Sequence, residues 1–295
     1  MHHARAPPIR IKNLARRATP GRVWQARARA RLDEVELLAT SSHYRSDKEN
    51  LVERHALTFA VRPGTEPEVQ QILSGYPRPR TEIGDGSRLL GTTVFLWGAR
   101  VIRMMDVEGP LPLVMRHLAA QPAIRATEEA LNPLLAEPRD LSDPGAAAAF
   151  FQRAMMRKIV HEITDPDLLA PSAGSATRRL ALAYPLRPGT GDAAARLLSG
   201  GLPLAGRAEE RTVLASTTVF QQGDLLVRAV EYVGDAEDAR ASLAEALAGT
   251  AAAARLTELF EPGWDLRTES ALLRFFAERQ LRLVTDRRAE ELTGA

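Results

Sequence analysis

Three histidines, His55, His117 and His161, stand where a neutral imidazole can accept a proton near pH 7. Arg103 and Arg228 sit midway along apolar runs, and a buried arginine must be paired, stacked or bound to an anion. Phe95, Trp97, Met104 and Met105 flank Arg103 with the flat, polarizable surfaces that hold an aromatic ring. A base, a fixed cation and an apolar wall together suit an acidic aromatic ligand, held as its phenolate or carboxylate. Each residue also has a plainer reading. His55 can be a strand-end histidine satisfied by backbone, and His117 a surface helix residue. Arg103 and Arg228 can belong to structural ion pairs, and the aromatic and methionine side chains to ordinary core. His161, at a strand end near a linker, stands behind the other two histidines.

The common signatures are absent. There is no GxGxxG after a strand, no Walker loop, no HExxH and no GxSxG, and Gly84-Asp85-Gly86 lacks the spacing of a dinucleotide site. The motifs therefore call for no bound cofactor or metal, although a flavin supplied by a partner reductase stays open. There is no cysteine, which removes disulfides, thiolate zinc sites and thiol nucleophiles and fits a reducing cytoplasm. No apolar run approaches the roughly 18 residues that span a bilayer.

These candidates belong to a duplicated chain. Thr92-Thr93-Val94-Phe95 recurs as Thr217-Thr218-Val219-Phe220, and the match continues ungapped at an offset of 125 residues. Arg54 aligns with Arg179, Arg62-Pro63-Gly64-Thr65 with Arg187-Pro188-Gly189-Thr190, Asp106 with Glu231, and Phe150-Phe151 with Phe275-Phe276. Positions that agree serve the shared fold; positions that differ point to function in one copy. His55 faces Leu180, His117 faces Ser242, Trp97 faces Gln222, Arg88 faces Val213 and Arg100 faces Leu225. Every histidine precedes the second copy, so the first copy is the expected site.

Each copy predicts the same order of elements. "HALTFAV" and "LALAYPL" read as strands closed by Arg-Pro-Gly turns, followed by a helix with Pro67 in its first turn. "SRLLGTTVFLWGARVIRMMDVEG" reads as a hairpin turning at Gly98, and a helical stretch that Pro122 interrupts comes next. A short helix over 146–151 leads into "MMRKIVHEI", with "QLRLVTDR" as its counterpart in copy two. This is β-α-β-β-α-β, so the expected fold class is α+β, two tandem ferredoxin-like repeats of the dimeric α/β-barrel type. Such a repeat leaves one sheet face bare. The other copy can cover it, or a second chain can, which would make a homodimer.

Residues 1–31 carry nine basic and no acidic side chains, and the total of +2 leaves the rest of the chain at −7. An acidic body argues against nucleic acid as a partner. Arg16-Arg17 has no apolar stretch behind it, so no twin-arginine export signal is expected. The expected organisation is a disordered basic arm over 1–50, a first repeat over 51–163, a linker over 164–177 and a second repeat over 178–290.

The paired Arg-Pro-Gly turns, TTVF strands and hairpins resemble the SchA/CurD-like family of actinobacterial type II polyketide gene clusters. The resemblance covers about residues 54–290. It implies an aromatic polyketide as substrate, acted on by a tailoring monooxygenase with O2 as co-substrate, or alternatively by a cyclase. A third implied reading is a non-catalytic subunit whose basic arm holds an acyl carrier protein. No family motif assigns residues. On the oxygenase reading His55, Arg103 and His117 carry the chemistry, while Phe95, Trp97, Met105 and Arg228 bind substrate.

Overall fold

The computed structural model describes residues 52–80, 86–140, 143–169, 177–200 and 212–288. The expected basic arm, residues 84–85 and much of the linker lie outside these. The first repeat comprises β1 (Val52–Ala60), α1 (Glu66–Ser74), β2 (Arg88–Trp97) and β3 (Arg100–Glu108). It continues with α2 (Leu111–Ala119), α3 (Pro122–Leu131), α4 (Pro144–Ala154) and β4 (Met155–Ile163). The second repeat comprises β5 (Arg178–Pro185), α5 (Gly191–Leu198), β6 (Leu214–Gln222) and β7 (Leu225–Tyr232). It ends with α6 (Ala236–Leu247), α7 (Ala251–Leu259), α8 (Glu269–Arg279) and β8 (Arg282–Arg288).

Local chemistry sets these boundaries. Gly98 and Gly223 take φ of 52° and 56° in the two hairpin turns, a region that favours a residue without Cβ. Pro122 ends one helical stretch and opens the next, as its missing N–H requires. Helix α4 runs longer than the short helix expected over 146–151. The Asp143 carboxylate accepts from the Gly145 N–H at 2.8 Å and caps the helix early. Among the described residues no helix is long and apolar enough to cross a membrane.

The strands lie in the order β5-β7-β6-β4-β1-β3-β2-β8, all described ladders being antiparallel. The fourth strands do not simply close their own copies. β4 starts against β1 at Met155 and Met156, then crosses to pair with β6 from Arg157 to Ile163. β8 repeats this at the same offset: Gln280 bridges Leu182, the Leu281 N–H donates to the Ala181 carbonyl at 2.8 Å, and the strand then pairs with β2. Both ends of the sheet therefore meet, and the two copies close on each other as a barrel within one chain.

Alternation along the strands divides the side chains between the barrel interior and the helices. Ala56, Phe95, Ile102, Met104, Phe220 and Ala229 fill the interior, packed together from both repeats. Leu57, Val94 and Met105 face the helices of repeat one, and Leu182, Val219 and Val230 those of repeat two. One end of the interior is ionic. Arg54 Nε donates to Asp106 at 2.7 Å and Arg54 Nη2 lies 3.0 Å from Glu231. Arg179 pairs with Asp106 and, at 2.8 Å, with Glu231. All four residues match at the repeat offset, so each repeat contributes one arginine and one carboxylate to a latch between them. Around it Arg179 Nη1 donates to the Thr93 hydroxyl at 2.7 Å, and Arg54 Nη1 to the Thr218 hydroxyl at 3.3 Å.

Candidate functional site

Arg103 leaves β3 on the helix-facing side, between the buried Val101 and Met105. Its Nη1 donates to Glu128 of α3 at 3.0 Å, and its guanidinium lies 4.7 Å from the centre of the Tyr76 ring. The other Glu128 oxygen accepts from Arg139 Nη2. Arg139 is itself fixed. Its guanidinium lies 4.3 Å from the Phe150 ring centre, and the Asn132 side chain bonds its backbone N–H at 2.9 Å and carbonyl at 2.8 Å. One carboxylate thus serves two guanidinium groups.

The charges are firm. Burial by itself would lower the Arg103 pKa, but Tyr76 and Glu128 outweigh it and hold the guanidinium above its ordinary value. Burial would raise Glu128; Arg103 and Arg139 overcome that and hold it below the usual carboxylate range. Burial pushes the Tyr76 phenol up, with Arg103 opposing and Glu128 adding. At neutral pH the cluster therefore presents two cations, one anion and a neutral phenol, a net charge of +1.

Tyr76, Arg103 and Glu128 of this cluster line a pocket of about 60 Å³ between sheet and helices, with Arg139 off its wall. The remaining wall is mostly apolar, with Leu89, Val94, Met105, Met115, Leu118 and Phe151 prominent, and Arg287 of β8 is its other charged residue. Two guanidinium groups, Arg103 and Arg287, and one carboxylate, Glu128, on an otherwise largely apolar wall suit an anion carried on a flat hydrophobic body.

The structure brings only some of the sequence candidates together. Arg103 and Met105 line the pocket. Phe95 and Trp97 point the other way, into the barrel interior, so the expected aromatic wall divides between two sheet faces. His55 lies on the helix-facing side opposite Met105, with its Nε2 3.4 Å from Glu53, and is not on the pocket wall. Burial lowers its pKa, with Glu53 opposing. His117 is a half-exposed side chain on α2 whose Nε2 lies 3.2 Å from the Arg80 carbonyl, also off the wall. His161 bonds the Thr218 hydroxyl through Nδ1 at 2.8 Å beside the ionic latch. Its repeat counterpart Asp286 accepts from Thr93 at 2.7 Å.

Arg228 occupies the corresponding place in repeat two, but the surroundings differ. Tyr184, Phe260, Phe275 and Trp264 stack there with ring centres 5.0 to 5.6 Å apart along the chain of contacts. The register is secure. The Val61–Leu135 bridge of repeat one and the Leu186–Phe260 bridge of repeat two differ by the repeat offset at both ends. Glu128 then corresponds to Ala253 and Arg139 to Trp264. Tyr76, Glu128 and Arg139 were not among the sequence candidates. The comparison of copies that singled out Trp97 would have flagged the last two, since both are charged in one copy and apolar in the other.

Comparison with known proteins places these features in context. The family described as SchA/CurD like domain matches the chain twice, over residues 52–164 and 177–289. A 42.8 kDa protein of the whiE locus of Streptomyces coelicolor is 44% identical over 241 residues, covering 81% of this chain and 59% of its own length. The polyketide synthase CurD of Streptomyces cyaneus is 41% identical over 246 residues, covering 81% of this chain and 65% of its own. The chain thus spans about three fifths of the length of these curated relatives. A crystal structure of an anthrone oxidase-like protein aligns at a TM-score of 0.33 and 11% identity, over 84% of this chain and 98% of that one.

Proposed function

The chain belongs to the SchA/CurD-like domain family, and from that premise we propose that it is a tailoring monooxygenase acting on an aromatic polyketide. The observation that carries this reading is Arg103, held charged beside Glu128 and Tyr76, on a largely apolar pocket wall that it shares with Arg287. A phenolic polyketide is acidic, and its anion is an enolate with electron density on carbon. Arg103 and the Tyr76 phenol stabilise that anion through its oxygen. The electron-rich carbon then reduces O2 directly, so the substrate supplies the electrons. For an anthrone the balance is one CH2 and one O2 giving one C=O and one H2O. One oxygen atom is retained and the other leaves as water.

The closed pocket of about 60 Å³ is smaller than the roughly 150 Å³ that accommodates one benzene. A polycyclic substrate therefore needs α2, which carries Met115 and Leu118 of the wall, to move away from the sheet while Glu128 of α3 stays on Arg103.

The experiment is incubation of the full chain with an anthrone under 18O2, with mass analysis and oxygen uptake. One labelled oxygen per product and one O2 consumed per turnover are expected. Conversion without oxygen, with loss of water, would overturn the proposal in favour of a cyclase. Neither histidine lies on the pocket wall, so His55→Ala and His117→Ala are each expected to keep kcat/KM within about three-fold of wild type. A loss of a hundred-fold or more in either variant would move the proton acceptor back to that histidine.

A further inference from the structure

Arg228 is the largest fully buried side chain among the described residues, at 1% exposure. Its Nε donates to the Thr217 hydroxyl at 2.9 Å, while its Nη2 has no hydrogen-bond partner among the described residues. No described carboxylate pairs with it, whereas its counterpart Arg103 has Glu128 at 3.0 Å. The Tyr184 hydroxyl, fully buried beside it, also lacks a partner. Burial pushes that phenol up and the neighbouring Arg228 pulls it partly back, yet no well-formed hydrogen bond joins the two. Among the described residues neither group finds a carboxylate or carbonyl to accept from it.

The comparison of repeats shows what has gone. Where repeat one places the Glu128 carboxylate, repeat two has Ala253, whose side chain ends at Cβ. A guanidinium cannot escape by losing its proton, unlike a buried lysine or histidine. A full positive charge in an apolar surround needs a counterion, and the described residues supply none. The surround limits what that counterion can be. Tyr184 packs against Phe260 and Phe275, and Phe275 against Trp264, so the surround beyond Tyr184 is aromatic and close-packed. These walls suit a small, weakly hydrated, spherical anion better than a carboxylate or phosphate.

We propose that Arg228 Nη2 and the Tyr184 hydroxyl form a buried binding site for a monovalent anion of the halide class, which replaces in repeat two the carboxylate that Glu128 supplies in repeat one. The anion is structural. It completes the core of the second repeat and is independent of the chemistry at Arg103.

The test uses the full chain exchanged into sodium gluconate, then titrated with sodium bromide or chloride at constant ionic strength. The thermal midpoint is expected to rise saturably, by on the order of 5 °C, with either halide. Arg228→Met is expected to abolish the response and to melt at or above wild type in gluconate, since it removes an uncompensated charge. Crystals of the wild-type protein grown in bromide are expected to show an anomalous peak beside Arg228 Nη2. These two wild-type measurements decide the matter even if Arg228→Met fails to fold. An unchanged midpoint in bromide, a halide response retained by Arg228→Met, or bromide peaks confined to the surface would each overturn the proposal.

Discussion

Arg103→Met is expected to lower kcat/KM for an anthrone-type substrate by roughly 10²–10³-fold, the range seen when one donor to a developing oxyanion is removed. The size follows from the setting. The guanidinium is largely buried, its charge is reinforced by Tyr76 and Glu128, and the pocket it faces is apolar. Arg139 cannot take its place, because it is engaged with Glu128 and lies against Phe150, whereas Arg287 also lines the pocket and offsets part of the loss. The substitution spares the fold for the same reason: Glu128 keeps Arg139 and is not left as an unpaired buried carboxylate. Circular dichroism should therefore match wild type. Arg103→Lys keeps the charge but loses the planar fork and is expected to fall between the two. Arg228→Met, in the repeat whose corresponding space is filled by rings, is expected to leave kcat/KM nearly unchanged. Steady-state oxygen uptake distinguishes these variants. Equal losses in Arg103→Met and Arg228→Met would show that the copies do not divide the work as their side chains suggest.

Glu231→Gln is expected to destabilise the protein by about 3–5 kcal/mol, the usual cost of breaking a buried ion pair by removing one partner. Glu231 accepts from Arg179 at 2.8 Å and from Arg288 at 2.8 Å, lies 3.0 Å from Arg54 and accepts from the Ser216 hydroxyl at 2.6 Å. Neutralising it leaves three guanidinium groups with one carboxylate fewer at the junction of the repeats. In a chain of this size the loss corresponds to a fall of roughly 10 °C in thermal midpoint. The same latch fixes a pH dependence. Burial would raise the pKa of both Asp106 and Glu231, but Arg54 and Arg179 outweigh it and hold both below the ordinary carboxylate range. A carboxylate with a depressed folded pKa contributes stability that is fully present above its unfolded pKa, near 4, and is lost as pH falls through the folded value. Stability should thus decline below about pH 4, and Glu231→Gln should show a shallower acid limb than wild type. Urea titrations between pH 2.5 and 7 measure both effects. A wild-type stability that is flat over that range would exclude the latch as the junction's main support.

The repeat itself was legible in the residues. Thr92–Phe95 and Thr217–Phe220 mark β2 and β6, Gly98 and Gly223 mark the hairpin turns, and Pro122 marks the helix break. Each of these signals is local. A strand alternates with period two, a turn needs a residue without Cβ, and a helix starts where an N–H is not required. Arg54, Asp106, Arg179 and Glu231 were visible as matched pairs, but no local rule says that the four converge. Arg54 and Glu231 are far apart in sequence, and they meet because β4 and β8 cross between copies and close the sheet.

Sequence alone determined the duplicated β-α-β-β-α-β fold, the candidacy of Arg103 and Arg228, and the expectation that the first copy is the site. Only tertiary structure decided that Arg103 shares Glu128 with Arg139 over an apolar pocket, while Arg228 lies among aromatic rings without a carboxylate. It also turned Phe95 and Trp97 inward and left His55 and His117 off the pocket wall. The reason is physical. Propensity and periodicity are properties of neighbours in the chain, whereas a charge takes its strength from whatever the fold packs around it, at any distance in sequence.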